Sequence, residues 1–161
     1  MPTRDTRSEA FVRQNFQTVW PVHLDGFTRL LVQLRTRFEG DLDLALVLAV
    51  IGSRTMPGRW TPALTDLGRM TDGDRETGNQ APINLQSVAD FSGIPRETVR
   101  RKVKLLQERG WISRATDGCL AVTQSAAKDL EGATSDTITY LSSLLLAFEA
   151  ARTLERSQTE P

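Results

Sequence analysis

Apolar positions along the chain fall first into a helical rhythm. Phe11, Val12, Phe16, Val19 and Trp20 mark one amphipathic stretch, and Pro21 either breaks it or opens the next helix. Phe27, Leu30, Leu31, Leu34 and Phe38 follow at i, i+3, i+4, i+7 and i+11, the stripe of a second helix. Residues 44–51 are apolar without interruption. A membrane span needs about 20 such residues. The run therefore predicts a helix apolar all round and buried, with Asp41 as its N-cap and Gly52 near its end. Residues 55–81 then break every pattern with Pro57, Gly58, Pro62, Gly68, Gly73 and Gly78. They predict a loop or insertion, polar from Thr71 to Gln80, with Trp60, Leu64, Leu67 and Met70 folding back as a half-helix that Trp60 pins down.

Periodicity resumes in SVADFSGIPRETVRRKVKLLQERGWI, residues 87–112. A first helix carries Val88, Ala89 and Phe91 and stops at Gly93, which accepts the positive φ of a helix end at low cost. Pro95 opens a second helix, ending at Gly110. Val99, Val103 and Leu106 fall at i, i+4 and i+7 on its buried side, while Glu97, Arg101, Lys104 and Glu108 point away and Arg100 lies on the flank. Residues 111–113 and 120–122 read as two short strands around the turn signal Asp117–Gly118, and 82–84 as a third very short one. Asn84 is placed to cap the helix beginning at Leu85, and Thr123 to cap a helix over 124–130. A last helix from Asp136 to Glu155 shows Ile138, Leu141, Leu144, Leu145, Phe148 and Ala151 on one face, with Leu154 extending it.

Charge sharpens this outline. From Arg96 to Lys104 the chain has five basic residues, Arg96, Arg100, Arg101, Lys102 and Lys104, against one acid, Glu97, although its formal net charge is +0. The excess is local, as a DNA-reading helix requires, whereas a solvated helix face is the plainer alternative for charge alone. Arg100, Arg101 and Lys104 are expected to enter or flank the major groove, where arginine can donate two bonds to guanine. Glu97 either accepts from a cytosine amino group or favours the helix dipole. Ser87, Thr98, Lys102 and Arg114 are candidates for phosphate contacts that set the register.

The order strand, helix, helix, hairpin, helix resembles the winged helix-turn-helix of bacterial transcription regulators of the MarR and GntR groups. The residues that carry the likeness are Ala89, Gly93, Ile94, Thr98, Val99, Arg100, Leu106, Glu108–Arg109–Gly110 and Ile112, and the likeness covers about a third of the chain. The MarR likeness extends in layout to helices before the reading head, a capped helix beginning VTQSAAKDL and a long final helix. It implies a mainly α fold with a small β-hairpin wing, flanked by N- and C-terminal dimerisation helices. The expected organisation is 1–40 support helices, 41–131 DNA-binding domain with its insertion at 55–81, and 132–161 dimerisation helix and tail. The implied function is a homodimeric transcriptional regulator that binds double-stranded DNA at an inverted repeat.

Two other readings stay open: a winged-helix module that binds a protein partner through the same helix, and a regulator that also answers a small-molecule effector. No enzyme site, cofactor or metal is expected. His23 has no metal-ligand neighbours and reads as a surface or cap residue, and Asp72, Asp74 and Glu76 lack the other ligands of a calcium loop. The single cysteine, Cys119, excludes an intramolecular disulfide framework and reads as half-buried on the wing strand. At 161 residues, 39% hydrophobic and 25% charged, the chain can bury one solid core. Its polar, mixed-charge start predicts no signal peptide and a cytoplasmic protein without membrane contact.

Overall fold

The computed structural model of the chain describes residues 6–55 and 83–159. The half-helix around Trp60 and the acidic group Asp72, Asp74 and Glu76 lie outside the described residues. The elements are α1 (Thr6–Gln14), α2 (Phe16–Arg37), α3 (Leu42–Ser53), α4 (Leu85–Ser92), α5 (Arg96–Glu108), β1 (Ile112–Arg114), β2 (Leu120–Val122), α6 (Gln124–Asp129) and α7 (Glu131–Thr159). The described fold is thus mainly helical, with one two-stranded antiparallel sheet. It divides into two compact units, a terminal one of Met1–Leu34 with Ala133–Pro161 and a central one of Arg35–Gly132.

In the central unit, Asp41 caps α3 by accepting the Leu44 N–H at 2.9 Å. Leu44, Val47, Leu48, Val50 and Ile51 form the buried side of α3, which packs against α4, α5 and β2. The helix is not covered all round as its composition predicts. Leu42 and Leu46 are exposed, because neighbours on one side of a helix cover only part of its circumference. Residue 55, expected to open the insertion, belongs to this packing. Thr55 is buried, donating its hydroxyl to the Ile51 carbonyl at 2.9 Å and accepting the Val122 N–H at 3.0 Å, so it ties the end of α3 to β2.

Asn84 caps α4 by accepting the Ser87 N–H at 3.0 Å, and the helix stops at Gly93, whose φ of 72° is the left-handed conformation that a side chain would strain. Leu85, Val88 and Ala89 are buried, but Phe91 is 70% exposed. At about 100° per residue Phe91 stands roughly 120° around the helix from Leu85, off the buried face. Helix α5 buries Val99, Val103 and Leu106. The strands pair Ile112 with Val122, Ser113 with Ala121 and Arg114 with Leu120, one residue later on β1 than the sequence pattern indicates. In place of a third strand, Ile83 makes a single bridge, its carbonyl accepting the Leu120 N–H at 2.8 Å. Trp111 is buried with its indole N–H donated to Asp129 at 2.9 Å.

The turn from α2 to α3 is conformationally costly. Glu39, at φ 55°, is the positive-φ non-glycine among the described residues, and Gly40 follows at φ 87°. A side chain in this region costs roughly 1–2 kcal/mol.

In the terminal unit the break between the first two helices falls at Asn15, and Pro21 lies inside α2. Proline removes one helical hydrogen bond. Ring contacts lie along the site, Phe16 on Trp20 at 5.1 Å and Trp20 on His23 at 5.2 Å, and support the helix beside the missing bond. Asn15 marks the junction with a side-chain bond to the Phe11 carbonyl at 3.0 Å and another to Glu155 at 2.8 Å. Helix α7 is longer than its apolar stripe, beginning at Glu131 and ending at Thr159. A stripe marks only residues that pack, while a helix propagates by one backbone bond per residue. Of this unit's described apolar side chains only Val19 and Ala151 are buried, and Phe16, Trp20, Leu24, Phe27, Leu31, Ile138, Leu141 and Leu145 are exposed.

Candidate nucleic-acid interface

The candidate interface is built on α5, the hairpin and the start of α4. With Val99, Val103 and Leu106 fixed inward, helix geometry sends Arg96, Glu97, Arg100, Arg101 and Lys104 outward, and all five are exposed. Thr98 and Ser87 are half-buried, Ser87 in the first turn of α4 with its hydroxyl 3.3 Å from the capping Asn84 oxygen. Arg114 is exposed at the end of β1. The structure thus brings five of the expected side chains to one helix face.

Those cations are not equivalent. Arg100 donates to the Glu97 carboxylate from Nε at 2.9 Å and from Nη2 at 2.7 Å. This hydrogen bond, with the Arg100, Arg101 and Arg96 charges, holds the Glu97 carboxyl below its usual range; the same bond, with the Glu97 charge, raises the Arg100 guanidinium. Lys104 lies 3.9 Å from Glu108, a loose exposed pair. Arg96 and Arg101 form no hydrogen bond or ion pair with described residues. Lys102, expected as a phosphate contact, has its ammonium 2.5 Å from Asp41 Oδ2 and mostly covered.

The Asp41–Lys102 pair and the Glu39–Arg109 pair at 3.7 Å were not legible in the sequence. Each joins residues far apart in the chain, 61 positions for Asp41 and Lys102, and no local spacing signals such a contact. At the hairpin turn Asp117 accepts the Cys119 N–H at 3.0 Å. That bond lowers the Asp117 carboxyl, and the Cys119 thiol, which donates to the same carboxylate, is pushed up.

A separate groove of about 580 Å³ lies in the terminal unit between α2 and α7, bordered by Pro21, Gly26, Arg29, Leu30, Asp136 and Tyr140. Arg29 is already paired with Asp25 at 3.2 Å. No helix among the described residues is long and apolar enough to cross a membrane. Comparison with protein-family models, curated protein sequences and solved structures found no match to this chain.

Proposed function

We propose that the central unit is a winged helix-turn-helix and that the protein is a sequence-specific regulator of transcription that binds double-stranded DNA. The observation that carries this reading is the division of α5, apolar where it meets α3 and α4 and cationic where it meets solvent, directly after a tight turn at Gly93. Arg101 and Arg96 have no hydrogen-bond or ion-pair partner among the described residues and supply the directional contacts of that face, because a free guanidinium can present two donors to guanine O6 and N7. Arg100 comes to phosphate only by leaving Glu97. Ser87, Thr98 and Arg114 add contacts that position rather than specify, and Lys102 is left out of the contact set.

The terminal unit supports a homodimer. A unit in which two apolar residues are buried and a row of large ones lies exposed has no core of its own, and large exposed apolar faces are rare on monomers. A second copy that pairs the α2 and α7 faces about a two-fold axis would set two heads on an inverted repeat, about one DNA turn apart.

Selection from a random duplex pool tests the reading, with an Arg100→Ala, Arg101→Ala double variant beside the wild type. The expected result is an inverted repeat with half-sites about 10 base pairs apart, lost in the variant. Retention of all duplexes alike, falling steeply with salt, would mean non-specific binding.

A second reading has an observation of its own. Phe91 on α4 and Leu105 on α5 are exposed apolar side chains on the same helix pair, and such anchors suit a protein partner better than a phosphate backbone. Failure to retain DNA at low salt would favour it.

A further inference from the structure

The turn that ends at Asp41 meets α5, at Lys102, and the segment that follows it, at Arg109 and Trp111, through three contacts. Phe38 sets its ring edge-on to Trp111, with centroids 5.7 Å apart. Glu39 faces the Arg109 guanidinium, which itself lies over the Trp111 ring at 5.0 Å. Asp41 divides its carboxylate, Oδ1 accepting the Leu44 N–H at 2.9 Å and Oδ2 the Lys102 ammonium at 2.5 Å. One side chain therefore joins the first turn of α3 to the middle of α5.

This pair differs in kind from the others on α5. Lys102 and Asp41 are 20% and 29% exposed, whereas Arg100 and Glu97 stand in water. A partly desolvated pair has a fixed geometry but returns little net stability, since desolvation offsets most of its attraction. The backbone that presents Asp41 is held at left-handed φ over Glu39 and Gly40, a conformation that persists only where the surroundings over-determine it.

We propose that residues 38–41 form a positioning strap that sets the angle at which α5 is presented, with Asp41 acting through Lys102 as the positioning residue. The inference rests on the DNA reading above and names what orients that site. A small rotation of α5 moves the tip of Arg101 enough to break a bidentate contact to a base edge, for which geometry is strict. Phosphate contacts are less directional and survive it. Releasing the strap should therefore separate specific from non-specific binding.

The test uses the full chain in four forms besides the wild type: Asp41→Asn, Lys102→Met, Lys102→Arg and the Asp41→Asn, Lys102→Met double variant. Asparagine caps a helix as well as aspartate, so Asp41→Asn keeps the α3 cap and loses the charge. The probes are the duplex selected from the random pool and a scrambled duplex of equal length, each titrated at several salt concentrations, with a thermal melt of every variant. Asp41→Asn and Lys102→Met are expected to lose roughly tenfold or more in the ratio of selected to scrambled affinity. Affinity for the scrambled duplex should shift only with the one-unit change of charge, upward in Asp41→Asn and downward in Lys102→Met, Lys102→Arg should recover most of the ratio, and the double variant should be no worse than either single one. An unchanged ratio, equal loss on both duplexes, or additive losses in the double variant would overturn the strap.

Should the wild type retain no duplex, or all duplexes alike, the DNA reading falls and the strap is judged on the free protein. Residual dipolar couplings of α5 amides against those of α3 then decide. A reorientation in Asp41→Asn that is absent in Lys102→Arg upholds the strap, and unchanged couplings in Asp41→Asn reject it.

Discussion

His23 Nδ1 and the Tyr140 hydroxyl share a hydrogen bond at 2.7 Å, joining α2 to α7 across 117 positions of sequence. The bond fixes the Tyr140 ring against the one place on α2 with no Cβ. A Cβ built on Gly26 would lie 2.6 Å from Tyr140 Cδ2. The only histidine of the chain is thus half-buried in a ladder of rings, not on the open surface that its sequence neighbours suggest.

Gly26→Ala should destabilise the protein, although alanine is the better helix former. The helix-propensity gain is at most about 1 kcal/mol, while overpacking against a held ring costs roughly 1–3 kcal/mol. Urea denaturation would show the net loss. A second change, Tyr140→Ser, should relieve the clash, so that Gly26→Ala becomes neutral or stabilising in that background. A loss as large there as in the wild type would disprove the contact.

Trp111→Phe keeps most of the buried ring but strands the Asp129 carboxylate that accepts its indole N–H. The expected cost is about 1–2 kcal/mol, against roughly 3–5 kcal/mol for Trp111→Ala, which also leaves a cavity. Equal costs for the two substitutions in thermal melts would show that packing alone matters at this position.

Asp41 makes the central unit sensitive to acid. Burial alone would raise its carboxyl, but the Lys102 hydrogen bond, the Leu44 N–H and the Lys102 and Arg109 charges outweigh that and hold it below its ordinary value. A carboxyl depressed in the folded state contributes stability above its unfolded pKa and loses it as pH falls through the folded one. Stability of the wild type should therefore decline as pH drops below the ordinary aspartate range, with a shallower decline in Asp41→Asn. Parallel pH profiles for the two proteins would contradict this.

Glu97→Gln should release Arg100. If α5 meets DNA, affinity for any duplex should rise and the dependence of log K on log salt should steepen by about one phosphate contact. Weaker binding to the selected duplex alone would instead assign Glu97 to base recognition. Arg101→Ala is expected to cost about 1–3 kcal/mol on the selected duplex and much less on a scrambled one.

Cys119 should react slowly. Its thiol is raised by the hydrogen bond to Asp117, by partial burial and by that carboxylate's charge, which reduces the thiolate that a disulfide reagent attacks. Asp117→Asn should speed the reaction at pH 8; an unchanged rate would remove Asp117 as the cause.

Much of the local structure was legible because its causes are local. Asn84 and Thr123 cap α4 and α6, each taking the N–H three residues on, and Gly93 turns left-handed where the pattern stops. Spacing likewise identified Val99, Val103 and Leu106 as the buried stripe of α5 and so its outward charges. The same reasoning misplaced the outer face of α3, since period says which residues share a face but not how much of it a neighbour covers.

By itself, then, the sequence determined the helices, their caps, the hairpin and the sign of charge on α5, all of which depend on residues within about one or two helical turns of each other. Only the tertiary structure decided which cations of that helix and its end are paired. Lys102 is drawn to Asp41 and Arg109 to Glu39 by contacts across the fold, while Arg96 and Arg101 find no such partner among the described residues. An ion pair needs opposite charges, which the sequence supplies, and proximity, which depends on how the helices pack.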